Sequence, residues 1–390
     1  MASGHRGGRA AANAHMPGFG GKWRMSAVVP VILCGGEGAR LWPVSSGDRS
    51  KVFLETPDGR TLMWHALNRA GKFASEKFIL SVTNEAFAFR VRQHFLSSAS
   101  TGLGMATIME PVPRNTAPAI ASAARFVARK FGRDTIMLCL PADHITRYEP
   151  GLREAVAKSI DHAQTGEIAL IGLPPTTPDT AFGYIKASNE QVLQFVEKPP
   201  ADAARAFVES SQFLWNSGMV VSCAGVLLDA FALHAPDILE VTQASGRAAE
   251  SIMIDGIEHI SLPLATYERC RNISFDHAVL ERSQSLKVVH ADFQWQDIGT
   301  WESYAALNPA DAQGNHVAGG AVLIDTKNSI IHAQSRTVGV AGLKDVIVVE
   351  TGDAVLVASR GNEEQIRDLF EAVKRGGHAD KLPAYLVKKE

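Results

Sequence analysis

The sequence predicts an α/β fold: a mainly parallel sheet flanked by helices, followed by a small β-rich C-terminal module. Three observations predict it. Short apolar runs alternate with helical patterns from Ala27 to about Leu307. Those runs are apolar at consecutive positions, as strands covered on both faces are. From Asn315 to Ser359 the texture changes to brief β-rich runs broken by Gly, Asn and Asp.

The first strand is Val28–Leu33, ending in the glycine-rich Cys34-Gly35-Gly36-Glu37-Gly38-Ala39-Arg40. Further strands are expected at Lys77–Val82, Thr107–Met109, Thr135–Leu140, Ile168–Leu173 and Gly218–Ser222. Between them, Ile120, Ala124, Val127 and Phe131 fall at helical spacing in Thr116–Lys130, with Asn115 or Thr116 as cap and Pro118 in the first turn. The module's runs are Ala321–Asp325, Ser329–Ala333, Thr337–Ala341, Val346–Glu350 and Ala354–Ala358. Ile366, Leu369, Phe370 and Val373 then mark an amphipathic helix closed by Gly376. The expected division is residues 1–25 as a disordered tail, 26–307 as the α/β domain and 308–390 as the β-rich module with its terminal helix.

Composition narrows the function classes. With 46% hydrophobic and 21% charged residues, the chain is an ordinary globular one. Lys+Arg 39 against Asp+Glu 41 leaves a net charge of -2, which argues against a nucleic-acid-binding surface. Cys34, Cys139, Cys223 and Cys270 are scattered without a Cys-x-x-Cys pair, the pattern of free thiols in a reducing cytoplasm. No apolar stretch is long enough for a membrane span, and the first 25 residues lack a signal-peptide core.

The glycine loop and the Pro141–His144 segment both follow strands and should line the edge where α/β sheets bind ligands. Gly35, Gly36 and Gly38 let the backbone present N–H groups to an anion, and Arg40 and Lys51 add charge: a polyphosphate cradle, or a tight turn with solvated cations. The spacing is neither Gly-x-Gly-x-x-Gly nor a Walker A loop. Asp143, in Pro141-Ala142-Asp143-His144, suits a magnesium ion shared with a phosphate, or a helix cap. Asp297, between Trp295 and Trp301, is a carboxylate in an unusual aromatic string, or an Asx-turn among core aromatics. Glu197-Lys198-Pro199 reads as a charged surface pair, Gly183-Tyr184 as a glycine turn, and Trp215-Asn216-Ser217-Gly218 as a turn or an amide offered to a hydroxyl. His144 reads as structural, and the 13 histidines show no metal-ligand spacing.

Taken together and in order, these strings resemble the bacterial mannose-1-phosphate guanylyltransferases (GDP-forming) of the sugar-nucleotidyltransferase superfamily. The resemblance runs from about Val28 to Lys374. It rests on Gly35-Gly36-x-Gly38-x-Arg40-Leu41-Trp42-Pro43, Arg114-Asn115-Thr116-Ala117-Pro118, Pro141-Ala142-Asp143-His144, Phe195-Val196-Glu197-Lys198-Pro199, Trp215-Asn216-Ser217-Gly218 and Asp297-Ile298-Gly299-Thr300-Trp301.

The resemblance implies a Rossmann-like mixed sheet and a left-handed β-helix-like C-terminal module that takes part in subunit contacts, hence a homodimer or higher homo-oligomer. It implies that GMP passes from GTP to mannose 1-phosphate. GTP would contact Leu33, Gly35, Gly36, Gly38, Arg40, Lys51, Glu110, Asn115 and Asp143. Mannose 1-phosphate would contact Gly183, Glu197, Lys198 and Asn216, and Asp143 and Asp297 would hold Mg²⁺. Arg40, Lys51, Asp143 and Asp297 would be the catalytic set. The chain departs from the family pattern at Ala39, where Thr is usual, and at Ser50-Lys51-Val52-Phe53, where Pro-Lys-Gln-Phe is usual. It stops at Glu390, short of the fused isomerase domain of many relatives, so no mannose-6-phosphate isomerase activity is expected. The alternatives are another sugar 1-phosphate or nucleotide, or a catalytically silent sugar-nucleotide-binding homologue.

Overall fold

The computed structural model describes residues 27–36, 38–45, 49–100, 102–146 and 150–375. The expected N-terminal tail and the Gly376 cap lie outside these residues. The strands are β1 Val28–Cys34, β2 Phe78–Asn84, β3 Gly104–Glu110, β4 Ile136–Pro141, β5 His144–Thr146 and β6 Ile168–Leu173. They continue as β7 Tyr184–Ser188, β8 Gln191–Val196, β9 Phe213–Cys223, β10 Glu250–Ile254, β11 Ile257–Ser261 and β12 Leu286–His290. The last are β13 Trp295–Asp297, β14 His316–Ile324, β15 Ile330–Ala341, β16 Val346–Glu350 and β17 Val355–Ser359.

The main sheet has 11 strands in the order β10-β11-β3-β2-β1-β4-β9-β6-β12-β8-β7. Its central stretch from β11 to β4 is parallel, and β9 enters antiparallel between β4 and β6, making the sheet mixed. The parallel part arises as expected: β1 is buried at six of its seven positions, so helices must cover both faces. Residues on the two faces feed separate cores, Val29, Val31 and Leu80 on one side and Ile32, Ile79 and Leu138 on the other. The helix Thr116–Phe131 packs its Ile120, Ala124 and Val127 into the first. Asn115, at φ 66°, is its N-cap, with Oδ1 accepting from Thr116 N at 2.9 Å.

Two expectations need correction. Trp215-Asn216-Ser217-Gly218 is part of β9, because Tyr184 pairs with Trp215 and extends the strand back to Phe213. Ser329–Ala333 and Thr337–Ala341 form one long strand, β15, with the irregularity in β15 itself, where Ala333 and Val338 stand opposite Gly319 and Ala321.

In the module, β14, β15 and β16 stack in parallel and β17 closes the sheet antiparallel. The helix Glu363–Arg375 buries Ile366 and Phe370, whereas Leu369 is exposed. The module shares its core with the start of the chain: Leu41, Trp42, Leu62, Ile298 and Trp301 pack with Ile347, Leu356, Ile366 and Phe370. Trp301 Nε1 donates to Trp42 O at 3.1 Å. No helix of the described residues is long and apolar enough to cross a membrane.

Candidate active site

The glycine loop leaves β1 at the carboxyl edge of the sheet. Gly36 and Gly38 have φ of 107° and 65°, a region that L side chains rarely occupy. A Cβ on Gly38 would also lie 3.0 Å from Ser45 Cβ and 3.2 Å from Lys51 Cβ. A bare backbone is therefore what lets the loop fold against Lys51. The unusual neighbours of Lys51 are accounted for locally. Ser50 is buried, with Oγ 3.5 Å from Gly36 O, and Val52 fills the core beside Ile32.

Lys51 Nζ sits 2.6 Å from Asp143 Oδ2 and 3.8 Å from Asp297 Oδ1. The two aspartates, 154 positions apart in the chain, meet because β5 and β13 form a small antiparallel ribbon in which Asp297 pairs with His144. Ile298 N donates to Asp143 O at 3.2 Å and ties the ribbon's end. Asp143 is therefore a ribbon-turn residue and not a helix cap. Burial opposes the charge on Lys51, but Asp143 and Asp297 outweigh it and hold its pKa above the ordinary lysine value. Asp143 shows the converse: burial pushes its pKa up, and Lys51 and His144 bring it below the usual aspartate value.

The donor set fits a hard divalent cation. Asp297 Oδ1 is buried without a hydrogen-bond partner, and it converges with Asp143 and His144 so that one ligand atom from each lies within 4.8 Å of the others. Oxygen pairs of this kind suit magnesium. His144 is turned to another task. Its Nδ1 accepts from Trp295 Nε1 at 3.3 Å, which places the ring hydrogen of the neutral imidazole on Nε2. Nε2 lies 3.8 Å from Asp143 Oδ1 and 3.7 Å from Asp297 Oδ1, beyond hydrogen-bond distance, so His144 leaves those oxygens for a cation.

A second group gathers at β7 and β9. Asn216 N donates to Gly183 O at 2.8 Å. A Cβ on Gly183 would fall 2.8 Å from Glu197 Oε2 and 3.2 Å from Phe195 Cζ, so Gly183 marks a close approach to the Glu197 side chain. Lys198 Nζ lies 3.1 Å from Glu197 Oε1, with Lys198 exposed and Glu197 buried. Gly218 links this group to the first. Its N donates to Asn216 Oδ1 at 3.1 Å, and a Cβ there would press on Pro141 and His144.

The sequence did not single out Asp276. It accepts from Asn216 Nδ2 at 3.0 Å, and burial, then Glu197, push its pKa up to about 7. Ser274-Phe275-Asp276 reads as an ordinary helix start, which Ser274 does cap, and only the fold places it against Asn216.

The remaining residues make no ion pair with Lys51, Asp143 or Asp297 among the described residues. Glu110, at the end of β3, is buried and accepts from the Tyr267 hydroxyl; burial raises its pKa to about 7. Leu33 contributes backbone, with its O accepting from Ala142 N at 3.1 Å. Arg40 does not join Lys51: its Nη2 pairs with Glu364 Oε1, on the last helix, at 2.5 Å. Arg49 likewise pairs with Asp353 at 2.5 Å.

A glycine loop folded against a lysine, a carboxylate pair and an adjacent amide–acid group along one sheet edge are the arrangement of a nucleotidyl-transfer enzyme. Residues 29–314 match the nucleotidyl transferase family, and residues 319–373 match the MannoseP isomerase/GMP-like beta-helix domain. The alginate biosynthesis protein AlgA of Pseudomonas fluorescens is 35% identical over 366 residues, covering 90% of this chain and 73% of its own. The mannose-1-phosphate guanylyltransferase of Escherichia coli is 34% identical over 360 residues, covering 89% of this chain and 74% of its own. A solved structure described as mannose-1-phosphate geranyltransferase from Thermus thermophilus superposes with a TM-score of 0.76 at 26% identity, covering 89% of this chain and 99% of that one. The chain belongs to the nucleotidyl transferase family and, within it, to the bacterial mannose-1-phosphate guanylyltransferases.

Proposed function

We propose that the protein transfers GMP from GTP to mannose 1-phosphate, giving GDP-mannose and pyrophosphate. The observation that carries this reading is the Lys51–Asp143–Asp297 cluster beside the glycine loop, joined through Gly218 to the Gly183–Glu197–Asn216 group. One phosphate oxygen of mannose 1-phosphate attacks the α-phosphorus of GTP in line. The bond from that phosphorus to the oxygen bridging to the β-phosphorus breaks, and pyrophosphate leaves. The attacking phosphate is already ionised, so no base is needed; charge neutralisation and positioning do the work.

Asp143 and Asp297 would hold Mg²⁺, which supplies positive charge to two polyanions that otherwise repel. Lys51 carries its charge throughout the neutral range and lies at the loop that would bind the GTP phosphates. Gly35, Gly36 and Gly38 would offer backbone N–H groups to those phosphates. Glu110 and Asn115 would face guanine and ribose. Lys198, exposed beside Glu197, would take the sugar phosphate, with Glu197 and Asn216 at the sugar hydroxyls. Exposed Val322, Ile324, Val355 and Val357 on the module support a homo-oligomer, and the free thiols support a cytoplasmic setting.

The test is pyrophosphate release from GTP and mannose 1-phosphate, with and without Mg²⁺, beside glucose 1-phosphate, mannose 6-phosphate and the other triphosphates. Magnesium-dependent release with the named pair is expected. Release with another pair reassigns the substrates, and binding without release makes the protein a silent homologue.

A further inference from the structure

The proposed reaction gives Asp276 no task, yet the fold sets it against the Gly183–Glu197–Asn216 group. Its contact with Asn216 is specific. Gly218 N can only donate, so the Asn216 atom 3.1 Å from it is the carbonyl oxygen, Oδ1. That settles the amide's orientation and turns Nδ2 toward Asp276 Oδ1 at 3.0 Å. Asn216 is 9% exposed, so the protein holds its amide at both ends. One Nδ2 hydrogen is left for a ligand.

The charges around Asp276 do not balance. Glu197, on the turn after β8, has a side chain 8% exposed; its Oε1 pairs at 3.1 Å with Lys198, whose side chain is 61% exposed. On the short helix Phe275–Ala278, His277 is taken up by Glu281 Oε2 at 3.0 Å. Glu281 Oε1 also accepts from Glu197 N at 3.3 Å. The helix Thr116–Phe131 meets this segment through the neutral Thr116, whose Oγ1 accepts from Phe275 N at 2.8 Å, and β9 supplies the neutral Asn216. The carboxyl groups of Glu197, Asp276 and Glu281 thus gather around one hydrated lysine and one histidine. Carboxyl groups that share so little positive charge resist ionising together. Burial, then Glu197, hold the pKa of Asp276 up at about 7.

We infer that, where this group binds a sugar phosphate as proposed above, Asp276 is its positioning residue: one carboxyl oxygen fixes the Asn216 amide, and the proton on the carboxyl keeps a second negative charge away from the sugar phosphate. The contact does not need the proton, because Oδ1 accepts from Asn216 in either state. The charge balance does. A phosphate ester is doubly charged above a pH of about 6. Once Asp276 ionises, it and Glu197 together oppose that dianion, with Lys198 to offset them. Affinity for the sugar phosphate therefore falls as pH rises through about 7.

The test is the KM for mannose 1-phosphate, or whichever sugar 1-phosphate supports pyrophosphate release, below and above neutral pH in the wild type, Asp276→Asn and Asp276→Ala. Asn keeps the acceptor and cannot ionise; Ala loses both. The second ionisation of the sugar phosphate is common to all three and cancels in the comparison. From about pH 6 to about pH 8.5, the wild-type KM is expected to rise about 10-fold more than that of Asp276→Asn, the effect of one unit of pKa coupling. Asp276→Ala should follow the pH profile of Asp276→Asn with a KM about 5-fold higher throughout, the loss of one hydrogen bond. These changes fall on KM and not on kcat, because Asp276 touches none of the reacting atoms. Equal pH profiles in the wild type and Asp276→Asn, an Asp276→Ala KM no higher than that of Asp276→Asn, or a loss carried by kcat overturns the inference and leaves the substrate reading standing. No release with any sugar 1-phosphate overturns the substrate reading and this inference with it. If Asp276→Ala does not fold, Asp276→Leu, of similar shape and without polar atoms, takes its place.

Discussion

Lys51 is the residue on which the site's electrostatics turn. It is the ammonium placed between two carboxylates that would otherwise repel each other, and it lies against the loop that would hold the triphosphate. Lys51→Ala and Asp297→Ala are each expected to lower turnover by about 100-fold or more, as the loss of one key electrostatic contact does. Pyrophosphate release by the folded variants checks this, and near-normal turnover would remove the residue from the catalytic set. Asp276 and Glu110 make a separate, pH-dependent prediction. Burial raises both to about 7 from ordinary values of 3.8 and 4.5. Between those limits the folded state holds protons that the unfolded state has released, so unfolding free energy falls as pH rises from about 4 to about 7. Denaturant unfolding across that range should show the slope, and Asp276→Asn should flatten it. A slope unchanged in that variant would mean that Asp276 is ionised throughout.

Among the elements, the last helix and the glycine loop are coupled through Arg40 and Glu364. Their side chains are 35% and 58% exposed, so the pair contributes less than about 1 kcal/mol to stability. Its effect should fall on binding. With Glu364→Ala, Arg40 is released toward the loop, and the KM for the nucleoside triphosphate should drop while the melting temperature stays nearly constant. A KM that stays the same or rises would show that Arg40 takes no part in nucleotide binding. Trp301 is a different kind of link. It is fully buried, and its indole N–H is satisfied by Trp42 O. Trp301→Ala should cost about 3–5 kcal/mol, the usual loss for a large aromatic in a core, measurable by chemical denaturation.

Across the molecule, the decisive feature is that the last helix packs into a cluster shared with the start of the chain, while the module's own buried cluster is the small one of Ile331, Val340 and Val348. Ile366 and Phe370 pack with Leu41, Trp42 and Trp301, which belong to the first and last parts of the nucleotidyl-transfer unit. The two parts should therefore unfold together, with far-ultraviolet circular dichroism and tryptophan fluorescence following one transition. Two separated transitions would show that the shared cluster is too weak to couple them.

Short-range pattern in the chain already specifies the α/β class, the parallel centre of the sheet, and the glycine loop with Lys51 beside it, whereas Asp143 and Asp297 enter as a metal pair only through the family resemblance. Those features are local: an unbroken apolar run needs two covered faces, and a loop that passes close to Lys51 needs residues without Cβ atoms. Even the β-rich texture of the module is written in its turn residues. Which residues meet is settled only in the folded chain. A three-residue ribbon, too short to read from periodicity, joins Asp143 to Asp297. The extension of β9 back to Phe213 depends on β7, and the role of Asp276 depends on Asn216, 60 residues away in the chain. Arg40 looks like a partner of Lys51 because the two are near in sequence, yet it faces Glu364. Side-chain pairing across such distances follows from how sheets and helices are stacked, which short-range spacing does not encode.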